Sequence, residues 1–299
     1  MTQKEIHIQA LKSFTEKVKN DPNVIALVVS GSLAYGTVWK RSDIDLTMLV
    51  RDGMNRKFDL YNIDENGVEI HMILMPVSVF KKEMRQLRAG QFSHGYYGKG
   101  EIVFSKDESL YPIFEETRIV GLDDVSMSII PCVQMLLVNM YRAEKWITAL
   151  HDPLYAQHFL QYCAGSVADI ILLMNKEEPT RESLLRAMEL RPEFMHKIHV
   201  IPCTTTMTED GIRDTLKLLD DFILESMDLW SVPILRFFSD GELKTSSEFE
   251  RFMGQDVIFC LTYLAEHGLL ERVTKASRVF KQSALTVEEI AYIAIGGTI

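Results

Sequence analysis

The chain has 299 residues, 47% of them hydrophobic and 25% charged, with a formal net charge of −10. These are globular values that exclude a disordered or low-complexity chain, and no apolar run reaches the length of a membrane span. The charge is uneven: residues 1–115 hold 15 basic and 15 acidic side chains, residues 116–299 hold 17 and 27, a field that repels nucleic acid and attracts cations.

The first ten residues read as neither a signal nor a transit peptide. Residues 4–20 place Ile6, Ala10, Phe14 and Val18 four apart, an amphipathic helix that ends at Asp21-Pro22. An apolar run at 24–29 then predicts a buried strand that stops at the turn Ser30-Gly31-Ser32. Ser42-Asp43-Ile44-Asp45-Leu46 opens a second strand. Side chains alternate across a strand, so Asp43 and Asp45 share a face, about 6.5–7 Å apart along it, while Ile44 and Leu46 point into a core. Two carboxylates so placed call for a cation, because unpaired buried charge is costly. A hard divalent ion with oxygen ligands, Mg²⁺, meets that need and keeps positions for phosphates. Gly31 and Ser32 supply free backbone N–H groups, a hydroxyl and no bulk at the glycine. In outline this is a phosphoryl- or nucleotidyl-transfer site.

Residues 58–63 and 68–74 flank Asp64-Glu65-Asn66-Gly67, whose Asn-Gly pair predicts a hairpin. In the second arm Val68, Ile70, Met72 and Leu74 share one face, Glu69 and His71 the other. His71 reads as a polar neighbour, since Mg²⁺ prefers oxygen. A helix over 77–88, a glycine-rich loop over 91–100 carrying His94, and a strand over 101–105 complete a small mixed sheet. Long helical patterns follow at 126–150, at 155–174, after Thr180, and at 209–229, an antiparallel bundle whose Glu144 and Asp169 are candidate general bases. The last seventy residues read as short helices over 232–238, 248–253 (capped by Ser246-Ser247) and 255–267, then a hairpin with arms 269–274 and 278–281 around Lys275-Ala276-Ser277. That order resembles a winged helix. Its third helix opens without Lys or Arg, so the module reads as one for packing or homodimer formation ahead of DNA recognition. Cys132, Cys163, Cys203 and Cys260 form no Cys-x-x-Cys pair, which predicts reduced, buried thiols and a cytoplasmic location.

Gly31-Ser32, ten intervening residues and Asp43-Ile44-Asp45 resemble the signature of the DNA polymerase β-like nucleotidyltransferase superfamily. With Gly36, Thr37 and Ser42 the string is most similar to the branch that modifies antibiotics of the aminoglycoside and lincosamide type. The resemblance implies an α+β chain with a nucleotidyltransferase domain at 1–115 and a helical bundle at 116–229 that closes the nucleotide cleft; it does not extend to the winged-helix-like module at 230–299. It implies a third carboxylate on a neighbouring strand, for which Glu69 is the residue that fits. Asp43, Asp45 and Glu69 would then hold Mg²⁺, Gly31, Ser32 and Ser42 would line the nucleotide, and Lys145 would reach the triphosphate from the bundle. The implied reaction moves AMP from ATP onto a hydroxyl of a small acceptor, and the acidic second half points to a cationic, aminoglycoside-like one. Two other readings stay open: an enzyme that modifies a protein or belongs to a toxin–antitoxin pair, and a non-enzymatic, nucleotide-sensing DNA-binding regulator.

Overall fold

Two apolar faces of one sheet organise the N-terminal part of the molecule. The computed structural model describes residues 1–54, 58–85, 96–97, 99–117, 122–280 and 282–295. The chain divides into two compact units, Met1–Val120 and Gly121–Ile299. His94 and most of its loop lie outside the described residues.

In the first unit, helix α1 (Gln3–Val18) starts from a capping box in which the Thr2 hydroxyl accepts the Glu5 N–H and the Glu5 carboxylate accepts the Thr2 N–H. Strands β1 (Val24–Ser30), β2 (Ile44–Val50), β3 (Asp59–Glu65), β4 (Val68–Pro76) and β5 (Glu101–Ser105) form a sheet in the order β3-β4-β2-β1-β5. Only β2 and β4 run parallel among these neighbours, so the sheet is mixed. The β3–β4 hairpin turns on Asn66 and Gly67, at φ 57° and 79°, the left-handed pair an Asn-Gly turn requires. Ala10 and Phe14 of α1 bury one face with Leu27, Val29, Ile44, Leu46, Ile70 and Met72. On the other face Ala26, Val28, Leu49 and Met75 pack under Phe80 and Met84 of α3 (Val77–Met84) and Leu110, Ile113 and Phe114 of α4 (Leu110–Thr117). Asp45, Thr47 and Leu49 alternate along this second face. Thr47 and Leu49 are buried and Asp45 is half-buried, so the face opens at the start of β2.

At the far end of the hairpin Glu65 is buried (3% exposed) and accepts hydrogen bonds from Lys17 Nζ at 2.7 Å and Ser13 Oγ at 2.6 Å. Lys17 first, then Ser13, hold its carboxyl below the ordinary glutamate value of 4.5. A depressed folded value means that the pair stabilises fully above 4.5 and loses its contribution as pH falls through the folded value. Glu65→Gln is therefore expected to cost about 1–2 kcal/mol at neutral pH, the low end because Lys17 is largely solvated. The difference should vanish in acid, as parallel melts of both proteins across that range will report.

The second unit pairs two long helices, α5 (Leu122–Thr148) and α6 (Pro153–Met174), with α10 (Glu209–Phe238) against α5. Between them lie α7 (Ser183–Leu190), α8 (Pro192–Met195), a π-helical turn at His196–Val200 and α9 (Ile201–Thr204). Helix α10 corrects the sequence reading, which ended one helix at 229, placed a domain boundary there and began another helix at 232. Phe222, Ser226, Trp230, Ile234 and Phe238 continue a single buried stripe at four-residue spacing through Pro233. Burial of those rings and of Ile234 exceeds the ~3 kcal/mol that a helix-interior proline costs.

Strand β6 (Lys244–Thr245), helices α11 (Ser246–Met253) and α12 (Ile258–Glu266), and strands β7 (Leu270–Arg278) and β8 (Thr286–Ala294) end the chain, with sheet order β6-β8-β7. Thr245 caps α11, one residue before the expected serines. The hairpin also differs: Lys275, Ala276 and Ser277 are strand residues paired with Glu289, Glu288 and Val287, and the connection lies at 279–285. Lys275 reaches Glu248 and the Leu243 carbonyl, contacts that extend the strand through a stretch whose small polar residues suggest a turn. Helix α12 starts from Val257, which has no capping side chain, and of the helix's first N–H groups Asp256 accepts only that of Ile258. Gln134 of α5 caps the next two, its Oε1 accepting the Phe259 and Cys260 N–H groups at 3.0 and 3.2 Å. Tyr263 donates to Asp220 of α10 at 2.8 Å, so the closing segment is fastened to the helices of the same unit. Cys163 and Cys260 are buried and Cys132 half-buried as thiols, but Cys203 is exposed, against the expectation of four buried thiols.

Candidate active site

Ser30 ends β1 and pairs with Asp45 across the antiparallel β1–β2 ladder. The chain then turns at Gly31, φ 65°, into the single helical turn α2 (Gly31–Tyr35), which closes at Gly36, φ 76°. Gly31 abuts Asp45: a Cβ there would stand 1.9 Å from Asp45 Oδ2, closer than any side chain tolerates. The glycine is thus required twice, by its backbone conformation and by the carboxylate it admits. Ser30 Oγ and Ser32 Oγ are buried and, among the described residues, have no hydrogen-bond partner. Two orphaned hydroxyls beside a carboxylate are a feature that bound oxygen-rich ligands or water would satisfy.

Asp43 stands in the approach to β2. His7, buried in α1, places its Nε2 2.8 Å from the Ser42 carbonyl oxygen and ties that approach to the helix. The Ser42 hydroxyl accepts the Trp39 N–H at 3.0 Å, which gives it a role in shaping the turn. In the parallel β2–β4 ladder Ile44 aligns with Ile70 and Asp45 with His71, so His71 stands beside the aspartates. Its Nδ1 lies 2.6 Å from Asp43 Oδ2 and its Nε2 3.1 Å from Glu69 Oε1. Ligand atoms of Asp43, Asp45 and His71 all fall within 4.8 Å of one another. That spacing and donor set fit a divalent cation. Glu69 projects from the same face of β4 but is 62% exposed and touches His71.

Beside Asp45 and His71 a cavity of about 480 Å³ opens across the sheet, lined by Phe58, Leu60, Asn62, Met75, Tyr96 and Tyr97. Tyr96 is pushed well above the ordinary phenol value, by burial first and by the Asp45 carboxylate second, so its hydroxyl stays protonated beside the acids. The other expected groups belong to the second unit. Lys145 lines a groove there with Tyr141, Arg142 and Phe259. Glu144 is exposed, and Asp169 is half-buried, its carboxyl raised by burial and partly offset by a hydrogen bond from Ser183. Two residues escaped the sequence reading: His7, which carries no motif, and His71, set aside although it shares a strand face with Glu69. Parallel pairing of the two strands is the signal that would have singled out His71.

Residues 12–109 match the family described as polymerase beta, nucleotidyltransferase, so the first unit is similar to a nucleotidyltransferase domain. No curated protein matches the chain. Among solved structures, a nucleotidyltransferase-like protein from Exiguobacterium sibiricum 255-15 is similar in fold, with a TM-score of 0.65 and 14% identity, over 96% of this chain and 99% of that one.

Proposed function

We propose that this protein transfers a nucleoside monophosphate from a nucleoside triphosphate, ATP in the first instance, to a hydroxyl of a small acceptor, in a reaction that requires a divalent cation. The observation that carries this reading is Gly31 seated against the Asp45 carboxylate, with Asp43 and His71 at ligand distance and two unpartnered serine hydroxyls alongside. A cation held by Asp43 and Asp45 would supply charge neutralisation at the transferred phosphate. Gly31 admits the Asp45 carboxylate beside the turn, and the Ser30 and Ser32 hydroxyls would donate to the phosphate oxygens. The acceptor oxygen attacks the α-phosphorus, the bond from that phosphorus to the bridging oxygen breaks, pyrophosphate leaves, and the hydroxyl proton passes to a carboxylate or water. Positioning and electrostatics do most of the work in such a transfer. The net charge of −10 favours cationic acceptors, aminosugars among them. The closing module we read as winged-helix-like and as packing, since α12 carries no Lys or Arg and buries Cys260, Leu261 and Leu264.

The test is pyrophosphate release from each nucleoside triphosphate, with matched cationic and neutral hydroxyl compounds, at low and high salt. ATP with a divalent cation is expected to raise the melting temperature, by an amount equivalent to about 2.7 kcal/mol at one hundred times its Kd, and ADP-ribose to leave it unchanged. No shift with any triphosphate and no pyrophosphate released would overturn the reading. Equal rates for charged and neutral acceptors would remove the aminosugar preference alone.

A further inference from the structure

We propose that the cation site is a mixed one, Asp43, Asp45 and His71 Nδ1 as ligands with Glu69 holding the far side of the imidazole, and that it selects manganese-class transition ions over Mg²⁺. This rests on the reading that Asp43 and Asp45 hold a divalent ion. A third carboxylate would make the site all oxygen, which suits Mg²⁺. The strand register instead presents a nitrogen: Asp45 aligns with His71 on parallel strands, and the three ligand atoms lie within 4.8 Å. Imidazole suits first-row transition ions, and Mg²⁺ prefers octahedral oxygen.

The two ring nitrogens of His71 have different partners, and these divide the roles. Nε2 lies 3.1 Å from Glu69 Oε1, so its N–H donates to that carboxylate. Nδ1 lies 2.6 Å from Asp43 Oδ2, facing the aspartates. A cation entering between Asp43 and Asp45 takes the place of this contact and meets the Nδ1 lone pair. Carboxylate–histidine–metal relays of this kind orient the ring and raise its basicity. Glu69 is then a positioning residue, reaching the cation through His71. A second feature points to a ligand here: Ser30, paired with Asp45 and fully buried, has an unpartnered hydroxyl, and Gly31, lacking a Cβ, lets the Asp45 carboxylate close against the turn.

The experiment titrates Mn²⁺ and Mg²⁺ into the nucleotide-free full-length protein by calorimetry and reads nitrogen hyperfine coupling on bound Mn²⁺ by pulsed electron paramagnetic resonance. Wild type is expected to bind Mn²⁺ at least tenfold tighter than Mg²⁺, roughly the order ligand softness predicts, and to show the nitrogen coupling. His71→Asp should erase the coupling and narrow the preference by about tenfold while retaining Mg²⁺, because an oxygen ligand replaces the nitrogen. Glu69→Gln should keep the coupling and weaken Mn²⁺ about tenfold. Bound Mn²⁺ without nitrogen coupling in wild type, displaced by Asp45→Asn, would overturn this inference and leave the transferase reading intact. Mn²⁺ that does not bind, or binds unaffected by Asp45→Asn, would overturn the aspartate site itself. The wild-type spectrum decides the first point even if His71→Asp fails to fold.

Discussion

Asp45→Asn is expected to lower nucleotidyl transfer by about three orders of magnitude or more, equivalent to ~4 kcal/mol of transition-state stabilisation, while the protein stays folded. The amide has the shape of the carboxylate and keeps its hydrogen-bonding reach, but it has no charge with which to hold a cation. Asp45 is half-buried at the open end of a face whose next two members, Thr47 and Leu49, are fully buried, so the sheet beneath it is secured by other residues. Asp43→Asn should act in the same direction and would also remove the charge facing His71 Nδ1. Initial rates of pyrophosphate release at saturating cation, with circular dichroism to confirm the fold, measure both effects. Near wild-type turnover in Asp45→Asn would remove the carboxylate from the reaction.

Gly31→Ala is expected to lower activity by on the order of 10²-fold and also to lower stability. Its Cβ would fall 1.9 Å from Asp45 Oδ2 and 2.8 Å from Asp45 Cγ, so either the carboxylate rotates away or β1 and β2 part. A displacement of about 1 Å in a reacting group costs on the order of 10²-fold in rate. Gly36→Ala is the control. Gly36 has nearly the same backbone, φ 76° against 65°, but an added Cβ would meet only Lys4 Nζ at 3.6 Å. Both variants pay about 1–2 kcal/mol for a left-handed alanine, and only Gly31→Ala collides with the site. Comparable melting losses with activity lost in Gly31→Ala alone are the expected pattern. Equal activity in the two variants would mean that the close approach has no bearing on function.

His71 and Glu69 show what a strand pattern conveys and what it omits. Residues 68–72 alternate cleanly, so the burial of Val68, Ile70 and Met72 and the outward placement of Glu69 and His71 follow from local chemistry. A slip of two residues against β2, however, keeps every side chain on its face and would set Glu69 where His71 stands. Period-two alternation is blind to that slip, since it reports the face of a side chain and says nothing of its position along the neighbour. The observed register goes with contacts distant in sequence: the docking of α1 on the hairpin through Lys17 and Glu65, and the buried packing of Ile70 with Ile44.

The second unit makes the same point through helices. Pro233 reads locally as a stop, yet the buried stripe from Phe222 to Phe238 carries the helix through it, because burial across several turns outweighs one missing hydrogen bond. At the start of α12 Asp256 accepts the first N–H locally, but the next two depend on Gln134, more than a hundred residues earlier, which no window of the sequence around Val257 contains.

The sequence by itself determined the strands, the first helix and the motif residues of the first unit, but not the helix at Leu110–Thr117. Apolar runs and period-two alternation produce the strands, Asn66-Gly67 produces the hairpin, and Gly31-Ser32 and Asp43-x-Asp45 supply a glycine turn and paired carboxylates; each is a short-range consequence of backbone sterics and side-chain polarity. Only the tertiary structure decided the third member of the cluster, the bond from Glu69 to the imidazole, the anchoring of the Ser42 carbonyl by His7 and the cap on α12. Each joins residues whose proximity is set by the energy of packing whole elements, a sum over long-range contacts that no local stretch of chain contains.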